Sequence, residues 1–248
     1  MGRRVPAVDD SKFLVQAGWS DAAHLDAATK ERMLAGTPPH LRDARSKGTP
    51  SLGAGAIYPV EQSEIIVPPF AIPAHFAKAY GFDTGWKRTA AVFGAWDRDS
   101  DVLYIYTEHY RGQAEPSIHA DAIRARGDWL VGACDPAGST SGETTLEIYR
   151  SHGLNLVAAN KNVEAGIMEV WQRLATGRLK IFAHCGNLIA EHRLYRRDKN
   201  GKIVKDFDHA LDALRYLVMS LPQIARTKPI KRPTGQSHFA TADRHAGY

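Results

Sequence analysis

The stretch YGFDTGW, residues 80–86, decides the fold predicted for this chain. Apolar residues lead into it at 76–79, and apolar alternation resumes over 91–95 and again over 102–106. This pattern predicts a strand that carries Asp83 near its middle, turns at Gly85 and returns as a hairpin. Burying an Asp in an apolar strand is costly unless a positive group meets it, although backbone N–H groups of a turn can also satisfy the carboxylate.

The composition is that of an ordinary folded domain. The 248 residues are 44% hydrophobic, which is enough for one good core, and the net charge of +5 permits a polyanionic partner without demanding one. Two cysteines, Cys134 and Cys185, favour reduced thiols in a cytosol-like compartment, and no Cys/His cluster has zinc spacing. No apolar run approaches the roughly 18 residues of a membrane span, so no membrane partner is expected.

The order of predicted elements indicates the fold class. The patterns predict strands at about 77–85, 88–96, 101–109, 129–134, 154–158 and 179–182, and helices at about 116–126, 143–152, 162–176, 185–195 and 207–221, the last closed by Pro222. Three strands in sequence form an antiparallel meander, and the later alternation of helix and strand adds parallel strands. We therefore predict an α/β fold with a mixed sheet and helices on both faces.

Three segments are predicted. Residues 1–73 are a lead-in with a possible strand at 12–17, a short helix at 25–34 capped by Asp26 and a basic helical turn at 41–47, but without a core of their own. Residues 74–222 hold the dense pattern of the main domain. Residues 223–248 are a basic tail, either flexible and solvated or grazing nucleic acid.

Acidic residues follow the predicted elements at matching positions. Asp135 ends the core strand at 129–134, which would neighbour the strand of Asp83 if the meander turns back on itself. Asp208 and Asp212 lie one turn apart on the last helix, where like charges oppose helix formation unless a cation sits between them. Stabilisation by the helix dipole is the structural alternative for Asp208. A set made only of carboxylates favours Mg²⁺ or Mn²⁺ over Zn²⁺, and two such ions suit phosphodiester hydrolysis.

Several segments resemble one protein family. They are GFDTG at 81–85, EPSIHA at 115–120, CDPAG at 134–138, ANKNVEAGI at 159–167, TGRLKI at 176–181, YRRD at 195–198 and DHALDALRY at 208–216. In order and spacing they resemble the C-terminal nuclease part of the large terminase subunit of tailed bacteriophages, over about residues 19 to 220. The resemblance implies a ribonuclease H-like fold, with Asp83, Asp135 and Asp208 as catalytic metal ligands and Asp212 as a possible further ligand. The choice between Asp208 and Asp212 as the main ligand stays open.

The resemblance also implies a setting. The partners would be double-stranded DNA, the portal protein and the small terminase subunit, in the cytoplasm of a bacterial host. The lead-in resembles the join between the family's ATPase motor and its nuclease. No GxxxxGK[ST] phosphate loop occurs in the sequence, since the Gly-rich stretch at 48–55 lacks the Lys-Ser/Thr pair, so no ATPase motif is assigned.

Basic residues provide a candidate DNA surface. Lys161, Arg196, Arg197, Lys202 and Lys205 would clamp duplex phosphates without reading sequence, although a solvated hairpin explains the last four equally well. His119 and His209 could assist proton transfer, and Ser139 and Thr140 could touch a phosphate, but structural roles are the commoner explanation for such residues.

The expected function is a metal-dependent endonuclease that cuts double-stranded phage DNA during genome packaging, with two ions and little sequence preference. A non-catalytic DNA-gripping and portal-docking module is the alternative. An ATPase of the actin-like or sugar-kinase kind also opens on a strand followed by Asp-Thr-Gly. It would require a second phosphate loop and a second large domain, for which the sequence has no room.

Overall fold

The computed structural model describes residues 3–5, 14–16, 18–22, 24–37, 46, 55–136, 144–198 and 200–229. The predicted turn at 41–47 (apart from residue 46), the loop residues Ser139 and Thr140 and the tail beyond 229 lie outside the described residues.

The described strands and helices alternate along the chain much as the sequence predicts. The strands are β1 Arg3–Val5, β2 Leu14–Gln16, β3 Ile66–Val67, β4 Ala77–Asp83, β5 Thr89–Asp97, β6 Val102–Arg111, β7 Val131–Cys134, β8 Asn155–Ala158 and β9 Leu179–Phe182. The helices are α1 Ala27–Ala35, α2 Gln62–Ile65, α3 Pro116–Arg124, α4 Thr145–Ser151, α5 Val163–Ala175, α6 Gly186–Leu194 and α7 His209–Ile224.

Seven of the strands form one mixed sheet in the order β3-β9-β6-β5-β4-β7-β8, and β1 and β2 form a separate antiparallel pair. β4, β5 and β6 are the antiparallel meander. β7 runs parallel to β4, β8 parallel to β7, β9 parallel to β6, and β3 parallel to β9. The predicted fold class, a meander followed by parallel strands, is confirmed.

Helices cover both faces of the sheet. Apolar side chains of α5, α6 and α7 pack on the face that carries Ala77 and Ala79 of β4. Those of α3 and α4 pack on the face that carries Tyr80 and Phe82. Because successive residues of a strand point to opposite faces, Asp83 points to the α7 side.

Gly81 lets α7 approach β4 closely. A Cβ atom at this position would overlap the carbonyl oxygen of Ala213 in α7. Any larger residue would therefore push the helix away from the centre of the sheet. The distance between the two acid-bearing elements, β4 and α7, depends on this one missing side chain.

Two predicted boundaries are wrong. The first strand ends at Asp83 and not at residue 85, because the Thr89 hydroxyl donates to the Gly85 carbonyl (3.0 Å) and closes the turn. The last helix continues through Pro222 to Ile224. Ile224 and Ala225 are buried in the core, and Arg226 forms a bridge with Lys78, so packing offsets the hydrogen bond that Pro222 cannot donate.

Residues of the predicted lead-in contribute to the main core. Tyr58 and Ile65 are buried in the same apolar cluster as α7, and β3 adds an edge strand beside β9. The division at residue 74 stays a prediction. Asp26 caps α1 as expected, accepting from the Thr29 N–H at 2.6 Å. Within the described ranges no helix combines the length and the apolar character that crossing a membrane requires.

Candidate active site

Asp83 and Asp135 leave neighbouring strands at the same edge of the sheet. β4 and β7 are parallel, and their register aligns Phe82 with Cys134. The next residue on each strand is an aspartate, and adjacent strands are about 4.8 Å apart. Burial raises the pKa of the Cys134 thiol to about 12, and the charges of Asp83 and Asp135 contribute to that rise. The register therefore places the two aspartates at the same edge of the sheet.

The start of α7 brings Asp208 and Asp212 to the same place. Asp208 occupies the N-cap position, but its side chain makes no capping hydrogen bond. Burial raises the pKa of Asp83, and the charges of Asp212 and Asp208 raise it further, while the hydrogen bond from His209 opposes them. The acids of the helix therefore act directly on the acid of the central strand.

The same set of acids affects the pKa of the Tyr216 hydroxyl on α7. Burial raises the pKa of Tyr216, and the negative charges of Asp83, Asp212 and Asp135 add to that rise. Carboxylates from β4, from α7 and from the end of β7 thus converge on one region. The sequence predicts that Asp83 and Asp135 open at one edge of the sheet, and the parallel register of β4 and β7 is consistent with that prediction.

Cations accompany each acid. The imidazole Nδ1 of His209 lies 3.0 Å from Asp83 Oδ2, and Lys161 forms an ion pair with Asp135. Lys205 Nζ lies 3.1 Å from Asp208 Oδ2 and 3.3 Å from Asp212 Oδ2. The like charges that the sequence places one turn apart are therefore bridged by an ammonium group.

Asp208 and Asp212 differ in how they are held. Asp212 accepts a hydrogen bond at 2.9 Å from Arg215, whose side chain is only 3% exposed. Asp208 Oδ2 is buried, and its contact among the described residues is the ion pair with Lys205 Nζ at 3.1 Å. A buried carboxylate oxygen whose partner is an exposed ammonium group suits a ligand role, whereas Asp212 is anchored by its neighbours.

A group of metal-ligand type lies elsewhere. Among the described residues, the ligand atoms of His75, Asp97 and Asp99 all lie within 4.8 Å of one another, whereas no three of Asp83, Asp135, Asp208 and Asp212 approach one another that closely. The group is largely exposed, and it lies at the opposite end of the β4–β5 pair from Asp83, since Asp83 pairs with Ala90 whereas Asp97 ends β5. Exposed acidic groups of this kind are not by themselves a site, but this group is a useful comparison for metal binding.

The predicted DNA-binding residues fall into different environments. Lys161 and Lys205 are paired with the site acids, and Arg197 is bound to Glu164 through two contacts of 3.0 and 2.6 Å. Lys202 is exposed in the 196–205 hairpin, where the Asp198 side chain accepts its N–H at 2.9 Å, and Arg196 bridges Ala56. Their role in binding DNA stays a prediction.

His119 does not lie with the acids. It is buried on α3, 2.9 Å from His109 of β6, on the face of the sheet opposite α7. The structural role, which the sequence favours for His119 over proton transfer, agrees with this position, because the β6–α3 connection carries the residue to the other face of the sheet. His209, the second candidate, does contact Asp83.

Glu191 on α6 is a structural residue that the sequence reasoning missed. It is 3% exposed, and its Oε2 accepts the N–H groups of Ala210 (2.7 Å) and Leu211 (3.1 Å), while Oε1 accepts the Tyr110 hydroxyl (2.7 Å). It thus satisfies the start of α7, which Asp208 leaves uncapped. Nothing local in the sequence signals this, because the partners are 19 residues or more away.

We expect Glu191→Ala to lower the free energy of unfolding by about 3 kcal/mol, because two buried N–H groups and one hydroxyl lose their acceptor. Glu191→Gln keeps an amide oxygen for the two N–H groups, so its loss should be under about 1 kcal/mol. Urea unfolding of the two variants measures this. Equal losses for alanine and glutamine would contradict the capping role.

His192 predicts a pH dependence of stability. Burial lowers its pKa to about 4, and its ring stacks on Tyr58. Between pH 4 and an unfolded value of about 6.5 the unfolded chain binds the extra proton, so stability falls as the pH falls, by up to about 1.4 kcal/mol per pH unit from this residue.

His192→Gln removes that contribution. The difference in unfolding free energy between wild type and this variant should therefore be largest at pH 7 and shrink towards pH 4.5. The comparison with the variant is needed because Asp83 and Glu191 have raised pKa values, so their contribution to stability increases as the pH falls and opposes that of His192. A difference that stays constant across this range would refute the prediction.

Carboxylates lie at the centre of a mixed five-strand unit, β6-β5-β4-β7-β8, and the helix α7 packs across β4. This arrangement defines a ribonuclease H-like domain. Residues 80–221 match the family model described as the terminase RNaseH-like domain. The chain belongs to this family, and the family resemblance read from the sequence is confirmed.

Similarity to individual relatives supports the same family. The large terminase subunit of Salmonella phage P22 is 31% identical over 226 residues, covering 86% of this chain and 45% of that protein. The solved P22 large terminase nuclease domain is 30% identical with a TM-score of 0.65, covering 71% of this chain and 96% of that one. The nuclease of the large terminase of thermophilic phage G20c, solved with bound magnesium, has a TM-score of 0.53 at 16% identity, covering 68% and 98%. The chain thus spans less than half of the P22 subunit.

Proposed function

We propose that this chain is a metal-dependent endonuclease that hydrolyses double-stranded DNA with little sequence preference. The observation that carries the proposal is that Asp83, Asp135, Asp208 and Asp212 approach one region from two parallel strands and one helix, close enough for their charges to act on Asp83 and Tyr216. Several carboxylates in one region repel one another, and this costs the fold stability unless cations meet them. They suit a site that binds divalent cations.

The residues divide into three roles. Asp83, Asp135 and Asp208 would hold two Mg²⁺ or Mn²⁺ ions, and Asp212 would orient the group through its bond to Arg215. The buried Oδ2 of Asp208, which meets the exposed Lys205 ammonium at 3.1 Å, and the purely oxygen donor set fit such ions. Ions bound there would activate a water and stabilise the leaving oxygen. Magnesium in the G20c nuclease agrees with this choice.

The cations beside the acids have a second partner in this proposal. Lys161 and Lys205 pair with Asp135, Asp208 and Asp212, and both are exposed by more than half of their side chains. When metal neutralises the carboxylates, these ammonium groups are free to contact the phosphates on either side of the scissile bond. His209, which lies 3.0 Å from Asp83, orients that carboxylate.

By family, the wider setting is genome packaging. The cut would separate packaged from unpackaged phage DNA in the cytoplasm of the bacterial host, with the portal protein and the small terminase subunit as partners. The portal and small subunit are partners of the whole large subunit, of which this chain is similar to one part.

The non-catalytic alternative rests on one observation. Every site acid of this chain already has a basic side chain within ion-pair distance. A module that only grips DNA and docks on the portal would keep those pairs and bind metal weakly.

Nicking of supercoiled plasmid separates the two. We expect the chain to nick plasmid in Mg²⁺ or Mn²⁺, to stop in EDTA, and to lose nicking in Asp135→Ala with DNA binding intact. DNA binding without metal-dependent nicking at any ionic strength would favour the gripping module.

A further inference from the structure

Two large aromatic side chains stand exposed beside the acids. Trp86 is 65% exposed and lies three residues after Asp83, in the turn between β4 and β5. Phe207 is 53% exposed and directly precedes Asp208. The two segments meet, since a Cβ on Gly85 would lie 4.0 Å from Cε1 of His209. The aromatic pair, Trp86 and Phe207, therefore lies on the two adjoining segments that carry Asp83 and Asp208.

Neither side chain serves the packing of the fold. Among the described residues no ring stacks on Trp86 or Phe207 and no cation lies over them, although such contacts are frequent elsewhere in the domain. Both are absent from the two buried clusters. Exposed aromatic rings grouped at a site are typical of surfaces that bind a partner.

The backbone holds both rings in place. The Trp86 carbonyl accepts the Gln113 N–H at 2.8 Å, which ties the turn to the end of β6. Phe207 has φ 57°, a left-handed conformation that a bulky residue rarely adopts. A glycine would occupy this position without strain, so the presence of phenylalanine is consistent with a use for its ring.

The surroundings favour a polyanion that also has flat apolar surfaces. Lys87 and Arg88 are exposed in the same turn as Trp86, and Lys205 is exposed two residues before Phe207, with the exposed acid Asp206 between them. Nucleic acid combines phosphates with base faces, and stacking of bases on aromatic rings is tolerant of sequence. Apolar side chains inserted between neighbouring base pairs partly unstack them and bend the duplex.

We propose that Trp86 and Phe207 contact the bases on either side of the scissile phosphate, and that opening this step sets where the duplex is cut. The predicted effect on the position of the cut rests on the proposed nuclease function. The predicted contact between the two aromatic rings and the bases requires only that the chain binds DNA. Flexible pyrimidine–purine steps should then be cut preferentially, although no base is read by hydrogen bonds.

The contact is tested without cleavage by tryptophan fluorescence during titration with a 20-base-pair duplex in EDTA. We expect quenching in the wild type that Trp86→Phe removes and Trp171→Phe keeps, because Trp171 is exposed on α5 away from the turn. Lys87→Ala should lower the salt dependence of binding and keep the quenching. Quenching that Trp86→Phe leaves unchanged would overturn the proposal.

The consequence is tested by mapping nicks on plasmid in Mn²⁺. Trp86→Ala and Phe207→Gly should each lower kcat/KM by about tenfold and even out the distribution of cut steps. Phe207→Gly also relieves the backbone, so it should be at least as stable as wild type, which separates loss of the ring from misfolding. Phe207→Tyr should restore the wild-type distribution.

Three results are decisive. Wild-type nicking with unchanged rate and step distribution in both variants overturns the proposal. If wild type does not nick, the nuclease function fails, and the fluorescence titration alone decides whether the aromatic pair contacts DNA. If both experiments give the expected results, both proposals stand.

Discussion

Asp83→Ala is expected to lower the rate of plasmid nicking by at least about 10³-fold, because the site would lose one of the three carboxylates that would hold the ions and with it several kcal/mol of transition-state stabilisation. Asp83 is the position where β4, β7 and α7 meet, so no other acid can take its place without moving a strand. Affinity for DNA should change less than about twofold, since the contacts to phosphate come from cations.

The stability of this variant separates function from folding. Burial raises the pKa of Asp83, which means that the ionised carboxylate is unfavourable in the native state. Asp83→Ala should therefore be as stable as wild type or more stable at pH 7. The matched control is Asp121→Ala on α3, an exposed acid on the other face, which should nick at the wild-type rate. Normal nicking by Asp83→Ala would show that the acid of the central strand β4 is not part of the active site.

Gly81→Ala is expected to lower the free energy of unfolding by more than about 3 kcal/mol. The added methyl group overlaps the Ala213 carbonyl oxygen, which is part of the rigid backbone of α7 and cannot rotate away. Protein that still folds should have lost nicking as well, because α7 is displaced and carries Asp208 and Asp212 with it.

Gly186→Ala is the matched control for this prediction. A Cβ at Gly186, the first residue of α6, meets nothing within 4 Å. The change should be neutral or should stabilise by up to about 1 kcal/mol, because it restricts the unfolded chain. Urea unfolding of both variants is the measurement. Equal stability of Gly81→Ala and wild type would show that the close approach of α7 to β4 is not required.

The sequence predicted the sheet because its signals are local. Alternation around YGFDTGW marks β4 and β5, and the order of strands then restricts where β7 can lie. Once β7 is the parallel neighbour of β4, Asp83 and Asp135 must meet. The two-residue strand β3 has no such signal, since it is defined only by its pairing with β9.

The features that the sequence did not predict depend on packing between residues that are far apart in the chain. Glu191 matters because α6 happens to present it to the start of α7, and His119 is excluded because its helix lies on the other face. Lys205 was predicted as a phosphate clamp from the basic hairpin. Its pairing with Asp208, three residues later, and with Asp212 is visible only when the course of the hairpin into α7 is known.

The most direct test of the account is the position of Mn²⁺ in crystals of the chain, located by anomalous scattering. We predict two anomalous peaks among the carboxylates of Asp83, Asp135 and Asp208, lost in Asp83→Ala. Peaks confined to the group of His75, Asp97 and Asp99, or no peak at the four converging acids at saturating Mn²⁺, would contradict the metal site and with it the proposed nuclease function.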